Sequence, residues 1–106
     1  MSEKPILRFS KNWNNKLDNP FFTTIRQNKG YWQKQQGKEI ICYLNSKPYS
    51  SGIIQFVVPL SIYDISESLA RFDAGLSKEK LCEMLRRMYG TNLNLQLIGI
   101  DNLETK

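Results

Sequence analysis

The sequence predicts an α+β domain: a small, mostly antiparallel β-barrel or strongly curved sheet of about five strands, with a pair of helices packed against it. Three observations lead there. Short runs rich in β-branched and aromatic residues fill the first 60 positions, two helical patterns follow one another between residues 61 and 90, and an alternating leucine run comes last. Helices grouped in this way cannot supply the crossovers of a parallel doubly wound sheet. A helix pair covering one opening of a curled sheet accounts for the order. At 106 residues, 41% apolar and 24% charged, the chain suits one domain with one modest core. We expect that core over residues 6 to 100, with 101 to 106 as a loose tail.

Each element has a local reason. Ile6-Leu7-Arg8-Phe9 reads as a first strand entered from Pro5. Lys11 to Leu17 reads as a turn or short helix, with Ser10 as its N-cap and Asn19-Pro20 as its stop. Phe21 to Arg26 has the aromatic and β-branched content of a second strand. Gln27 to Gln36 is polar and predicts an exposed loop interrupted by Tyr31-Trp32, after which Gly37 turns the chain into a third strand over residues 40 to 44. Residues 45 to 52 predict a loop or hairpin connection, and 53 to 58 a fourth strand ended by Pro59. A short helix through Ile65, Leu69 and Phe72 can be capped by Ser61 or by Ser66 and closed by Gly75. The second helix is clearer. Ser77 caps it, Leu81, Met84, Leu85, Met88 and Tyr89 repeat at helical spacing, Glu83 and Arg87 form an i,i+4 pair, and Gly90 supplies a left-handed stop. Leu93, Leu95 and Leu97 alternate with polar residues in a last strand, and Glu104 to Lys106 should be loose.

Composition excludes more chemistry than any motif suggests. The chain has no histidine, which removes Ser-His-Asp and Cys-His catalysis and histidine-based zinc sites. Cys42 and Cys82 are isolated, in apolar settings where free cysteines act as small buried hydrophobes, and two cysteines do not build a zinc cage. No metal and no cofactor are expected. No apolar run approaches the ~20 residues of a membrane span, and the N-terminus lacks the layout of a signal peptide. The expected setting is the cytoplasm, away from membranes, as a monomer or weak dimer.

The net charge of +5 lies entirely in residues 1–40, where eight Lys/Arg face three acids; residues 41–106 carry seven of each sign. Gathered on one face, that basic third would bind a polyanion. Arg26, at the end of the second strand, has the planar fork that suits phosphate or a base edge, although an ion pair with Asp73 is the structural alternative. Thr23 and Thr24 point to opposite faces of that strand, so one faces any cleft. Tyr31-Trp32 between Lys29 and Lys34 have the pattern of a base-stacking platform, with Trp32 as a barrel plug the alternative. Trp13 between Lys11 and Lys16 invites the same two readings. Lys78, Lys80, Arg86 and Arg87 share a helix with Glu79 and Glu83 and read as a solvated face.

The Thr23-Thr24-Ile25-Arg26 strand, the Gly37-Lys38-Glu39-Ile40 turn, and the Asp73-Ala74-Gly75-Leu76-Ser77 to Met88-Tyr89-Gly90 layout together resemble an ASCH domain, a family of PUA-like barrels. The resemblance covers about residues 6 to 100. It implies a PUA-like β-barrel with a cleft beside the Thr-Ile-Arg strand and an association with RNA. Some small bacterial members are amidohydrolases of acylated cytidine, with a lysine opening that strand, a threonine before its Ile-Arg, and a glutamate near the last helix. Thr24 and Arg26 match. Phe21 stands at the lysine position and Ala74 at or near that of the glutamate, with Asp73 adjacent; Lys16 or Lys29 would have to substitute for the lysine.

The expected function is therefore binding of RNA or a nucleotide-like ligand in a basic cleft. Its lining would be Thr24, which the resemblance selects over Thr23, with Arg26, Lys29, Tyr31 and Trp32, and with Lys11 and Lys16 at its edge. The alternatives are a small amidohydrolase of a modified nucleoside, with Asp73 as base assisted by Thr24 and a lysine, and a protein-interaction module using Tyr31-Trp32 as its hot spot.

Overall fold

The computed structural model describes residues 4–90 and 93–103. Five strands, β1 (Ile6–Phe9), β2 (Phe21–Gln27), β3 (Glu39–Leu44), β4 (Lys47–Leu60) and β5 (Leu95–Asn102), form one sheet in the order β1-β3-β4-β5-β2. The sheet is mixed and curls into a half-barrel. β1 runs parallel to β3, and the other three pairings are antiparallel. The two edge strands, β1 and β2, meet at a seam. There Phe9 and Phe22 pack edge to face with ring centroids 6.2 Å apart, and the Arg26 side chain donates to the Arg8 carbonyl.

The alternation of β2 divides the core in two. Phe22 joins Leu7, Phe9, Leu17, Ile40, Cys42, Ile54, Val57, Ile98 and Ile100 inside the curl. Ile25, of the opposite parity, joins the layer built by the helices α1 (Glu67–Ala74) and α2 (Lys78–Tyr89) with Leu95. The helix pair therefore packs on the side of β2 and β5 opposite the inner core.

Local chemistry explains the boundaries. Both candidate serines cap: Ser61 forms a capping box with Asp64 over a 3-10 turn at Ile62–Asp64, and Ser66 accepts from the Leu69 amide to start α1. Ser77 caps α2, and Gly75 ends α1 in the left-handed conformation. Gly90 also has positive φ, but its ψ of -165° is extended, so it is not the left-handed stop expected. Ser10 caps nothing. The following segment is a 3-10 turn at Trp13–Asp18, kinked where Asn14 and Asn15 take φ of 56° and 54°, and Asn12 precedes it, accepting from the Leu17 amide.

β4 starts at Lys47, well before the expected residue 53, because Asn45 and Ser46 both adopt positive φ and close a two-residue hairpin. Another 3-10 turn, Trp32–Gln35, occupies the expected loop. β5 starts at Leu95, leaving Leu93 before it, and takes in Asp101 and Asn102 from the expected tail. Glu104 to Lys106 lie outside the described residues. Cys42 and Cys82 are buried and unbridged, and among the described residues no helix is long and apolar enough to cross a membrane.

Opposite Phe56, β5 carries Gly99, where a Cβ would come within 2.2 Å of the Phe56 ring. The ring must lie flat on the strand, so Gly99→Ala should destabilise by ~1–3 kcal/mol, the range for overpacking. Urea unfolding measures this, and an unchanged midpoint would contradict the packing described.

Candidate functional site

Between β1 and β2 the seam opens into a cavity of about 150 Å³. β2 contributes Thr24, Ile25 and Arg26, and the end of β1 contributes Arg8, Phe9 and Ser10. Trp13 and Lys16 come from the kinked turn, and Asp73 and Ala74 from the end of α1. The remaining wall is α2, through Leu81, Met84, Leu85, Met88 and Tyr89. The helical stripe thus has two uses: Leu81 and Leu85 are core, while Met88 is 59% exposed and borders the cavity.

Charge is concentrated in this apolar setting. Lys16 is 3% exposed and Asp73 4%, and the Lys16 amine lies 3.5 Å from Asp73 Oδ1. The same oxygen accepts a 2.7 Å bond from the Thr23 hydroxyl. Thr23 and Thr24 divide the labour as alternation requires. Thr23 faces α1 and fixes Asp73, whereas Thr24 lines the cavity and its hydroxyl accepts from Arg26 Nε at 3.2 Å. Arg26 makes a second bond, from Nη2 to the Arg8 carbonyl at 2.7 Å, and lies 4.7 Å from the centre of the Phe9 ring. It forms no ion pair with Asp73.

Burial lowers the pKa of Lys16, with Arg26 pushing the same way and Asp73 opposing through its charge and hydrogen bond. Burial also lowers the pKa of Arg26, opposed by Tyr89, Asp73 and Cys42. Three cationic residues around one small cavity, Arg8, Lys16 and Arg26, with one buried carboxylate between helix and strand, are poised to meet an acceptor-rich or anionic group.

No family model, curated protein or solved structure matches the chain.

Of the residues singled out in the sequence, Thr24, Arg26, Lys16 and Asp73 converge on this cavity. Lys11 does not line it, but its amine sits 4.3 Å from the centre of the Trp13 ring, beside the cavity wall. Lys29, Tyr31 and Trp32 are not among the lining residues either. Lys29 is exposed; Trp32 packs against the inner core, and Tyr31, 49% exposed, meets it edge-on at 4.9 Å. Phe21, and Ala74 at or near the second position, stand where the resemblance leads one to look for a lysine and a glutamate, and are respectively half-buried and buried. The lysine and the acid that meet are Lys16 and Asp73. Arg8, Phe9 and Ser10 are wall residues that nothing in the sequence distinguished.

The buried pair makes stability depend on pH in a definite sense. A lysine whose folded pKa lies below its ordinary 10.5 binds its proton less readily when folded, so its contribution improves as pH rises between the folded value and 10.5, and is lost as pH falls through that window. We expect the stability difference between wild type and Lys16→Met to shift in favour of wild type as pH is raised towards 10.5, measured by urea unfolding across pH. Near neutrality Asp73→Ala should cost ~3–5 kcal/mol, the penalty of leaving a buried charge unpaired, and the pair Lys16→Met with Asp73→Leu less than the two singles together. Additive losses would mean that the two groups do not interact.

Proposed function

We propose that the seam cavity binds the base of a pyrimidine-type nucleotide, free or within RNA, in a cytoplasmic PUA-like domain of the ASCH kind. The observation that carries this reading is the convergence of Arg26, Lys16 and the Thr24 hydroxyl, beside the apolar wall of Phe9, Trp13, Leu81 and Leu85, on a cavity of about 150 Å³. A cavity of that size admits one six-membered ring. Phe9, Trp13 and Met88 offer it apolar contact, and the polar groups offer it hydrogen bonds. The family reading draws further support from the curled five-stranded sheet and from Thr24 and Arg26 meeting beside the cavity.

Binding should combine ring burial with an electrostatic component from Arg26, Lys16 and the nearby Lys11. We expect Arg26→Lys, which keeps the charge and loses the fork, to weaken binding of oligocytidylate or CMP about tenfold, in the range for a charged hydrogen bond, while Lys80→Ala on the remote face of α2 leaves it unchanged. RNA binding should also fall with added salt. Tryptophan fluorescence follows this through Trp13, and equal effects of the two substitutions would remove the cavity assignment.

A second reading, hydrolysis of an acylated nucleoside, is favoured by the Lys16–Asp73 contact. Asp73 would take a proton from water attacking the acyl carbonyl, Lys16 with Thr24 would stabilise the oxyanion, and Asp73 would return that proton to N4 as the C–N bond breaks and the oxyanion collapses to acetate. On this reading N4-acetylcytidine yields cytidine and acetate, and Asp73→Asn abolishes turnover. Chromatography of the products decides it: no turnover by wild type ends this reading for that substrate class.

A further inference from the structure

The seam cavity has a neighbour. Arg8, Phe9 and Ser10 also line a second hollow of about 390 Å³, completed by Asn45 and Ser46 of the β3–β4 turn. Its lining holds a guanidinium, two hydroxyls and a side-chain amide, and no carboxylate. Among the described residues no acid pairs with Arg8. Its guanidinium instead lies 5.2 Å from the centre of the Tyr43 ring, at the strand end that leads into Asn45 and Ser46. An arginine resting on an aromatic face keeps its N–H edges for a ligand. Ser10, which caps no helix, keeps its hydroxyl.

We propose that this second hollow is a phosphate subsite, so that the ligand is a nucleotide carrying phosphate and not a bare nucleoside. The inference rests on the base-binding reading of the seam cavity and extends it. A ligand lying across Phe9 and Ser10 places its ring in the first hollow and its phosphate in the second. Arg8 meets the phosphate with its planar fork, and Ser10, Asn45 and Ser46 supply neutral donors. No carboxylate in the lining repels the anion.

Isothermal titration with cytidine, CMP and 5′-phosphorylated oligocytidylate tests it, on wild type, Arg8→Gln and Ser10→Ala. CMP should bind wild type about tenfold more tightly than cytidine, as expected for added charged hydrogen bonds. Arg8→Gln should remove that gap, whatever it does to cytidine binding itself, since Arg8 borders both hollows, and Ser10→Ala should narrow it. Inorganic phosphate should compete with CMP and not with cytidine, which keeps the test open should Arg8→Gln fold poorly. Oligocytidylate binding more tightly than CMP would support the subsite and assign it to a strand; equal binding would support it and assign it to a mononucleotide. Equal affinity of cytidine and CMP for wild type, or a preference that survives Arg8→Gln, overturns the phosphate subsite alone. Binding of none of the three overturns the base-binding reading beneath it.

Discussion

Burying a lysine amine is the constraint around which the rest of this structure is arranged. An ammonium withdrawn from water is costly unless a counter-charge and hydrogen bonds replace the solvent. Lys16 finds its counter-charge in Asp73, on a helix 57 residues further along the chain, and Asp73 is in turn held by Thr23 on β2. One carboxylate oxygen therefore joins the kinked turn, α1 and an edge strand. Displacing the turn or the helix leaves an uncompensated charge, and displacing the strand costs the carboxylate a hydrogen bond. The kink at Asn14 and Asn15 brings the turn across the seam, and asparagine tolerates the left-handed conformation that the kink requires. Arg26 does for the sheet what Lys16 does for the layers, since its bond to the Arg8 carbonyl joins two edge strands that no backbone ladder connects.

Much of the architecture was legible because it depends on short-range signals. β1 came out with its observed bounds and α2 with its N-cap, since a β-branched run or a Ser-capped amphipathic stripe specifies itself locally. What was missed depends on distance or on unusual backbone. The hairpin at Asn45 and Ser46 uses positive φ without glycine, so the start of β4, up to Gly52, read as loop. The parallel pairing of β1 with β3 leaves no mark in a four-residue strand. The site was legible to the same degree: Thr24 and Arg26 lie on one strand at spacing two, so their common face follows from alternation. The meeting of Lys16 with Asp73 follows from no pattern in the chain. Tyr31 and Trp32 had the composition of a stacking platform, but burial of the larger ring against the inner core carried Trp32 elsewhere.

The seam is also where the two faces of the sheet communicate. Along β2 one parity serves the interior of the curl and the other serves the helices, yet Thr24 and Asp73 reach the same cavity because the strand has a free edge there. A fully closed barrel would have spent that edge on hydrogen bonds. The half-open curl keeps it for a cleft whose walls come from both layers.

The strand order has a consequence for how the chain comes together. β2 has one backbone partner in the sheet, β5, with Phe21 opposite Asp101 and Gln27 opposite Leu95. During synthesis the Phe21-Phe22-Thr23-Thr24-Ile25 segment therefore emerges long before anything it can pair with. Contacts so distant in sequence form slowly, and an apolar strand waiting for its partner is exposed to chance association with other chains. Until β5 arrives, the strand that will later hold Thr24 and Arg26 in place is the segment of the nascent chain most in need of protection.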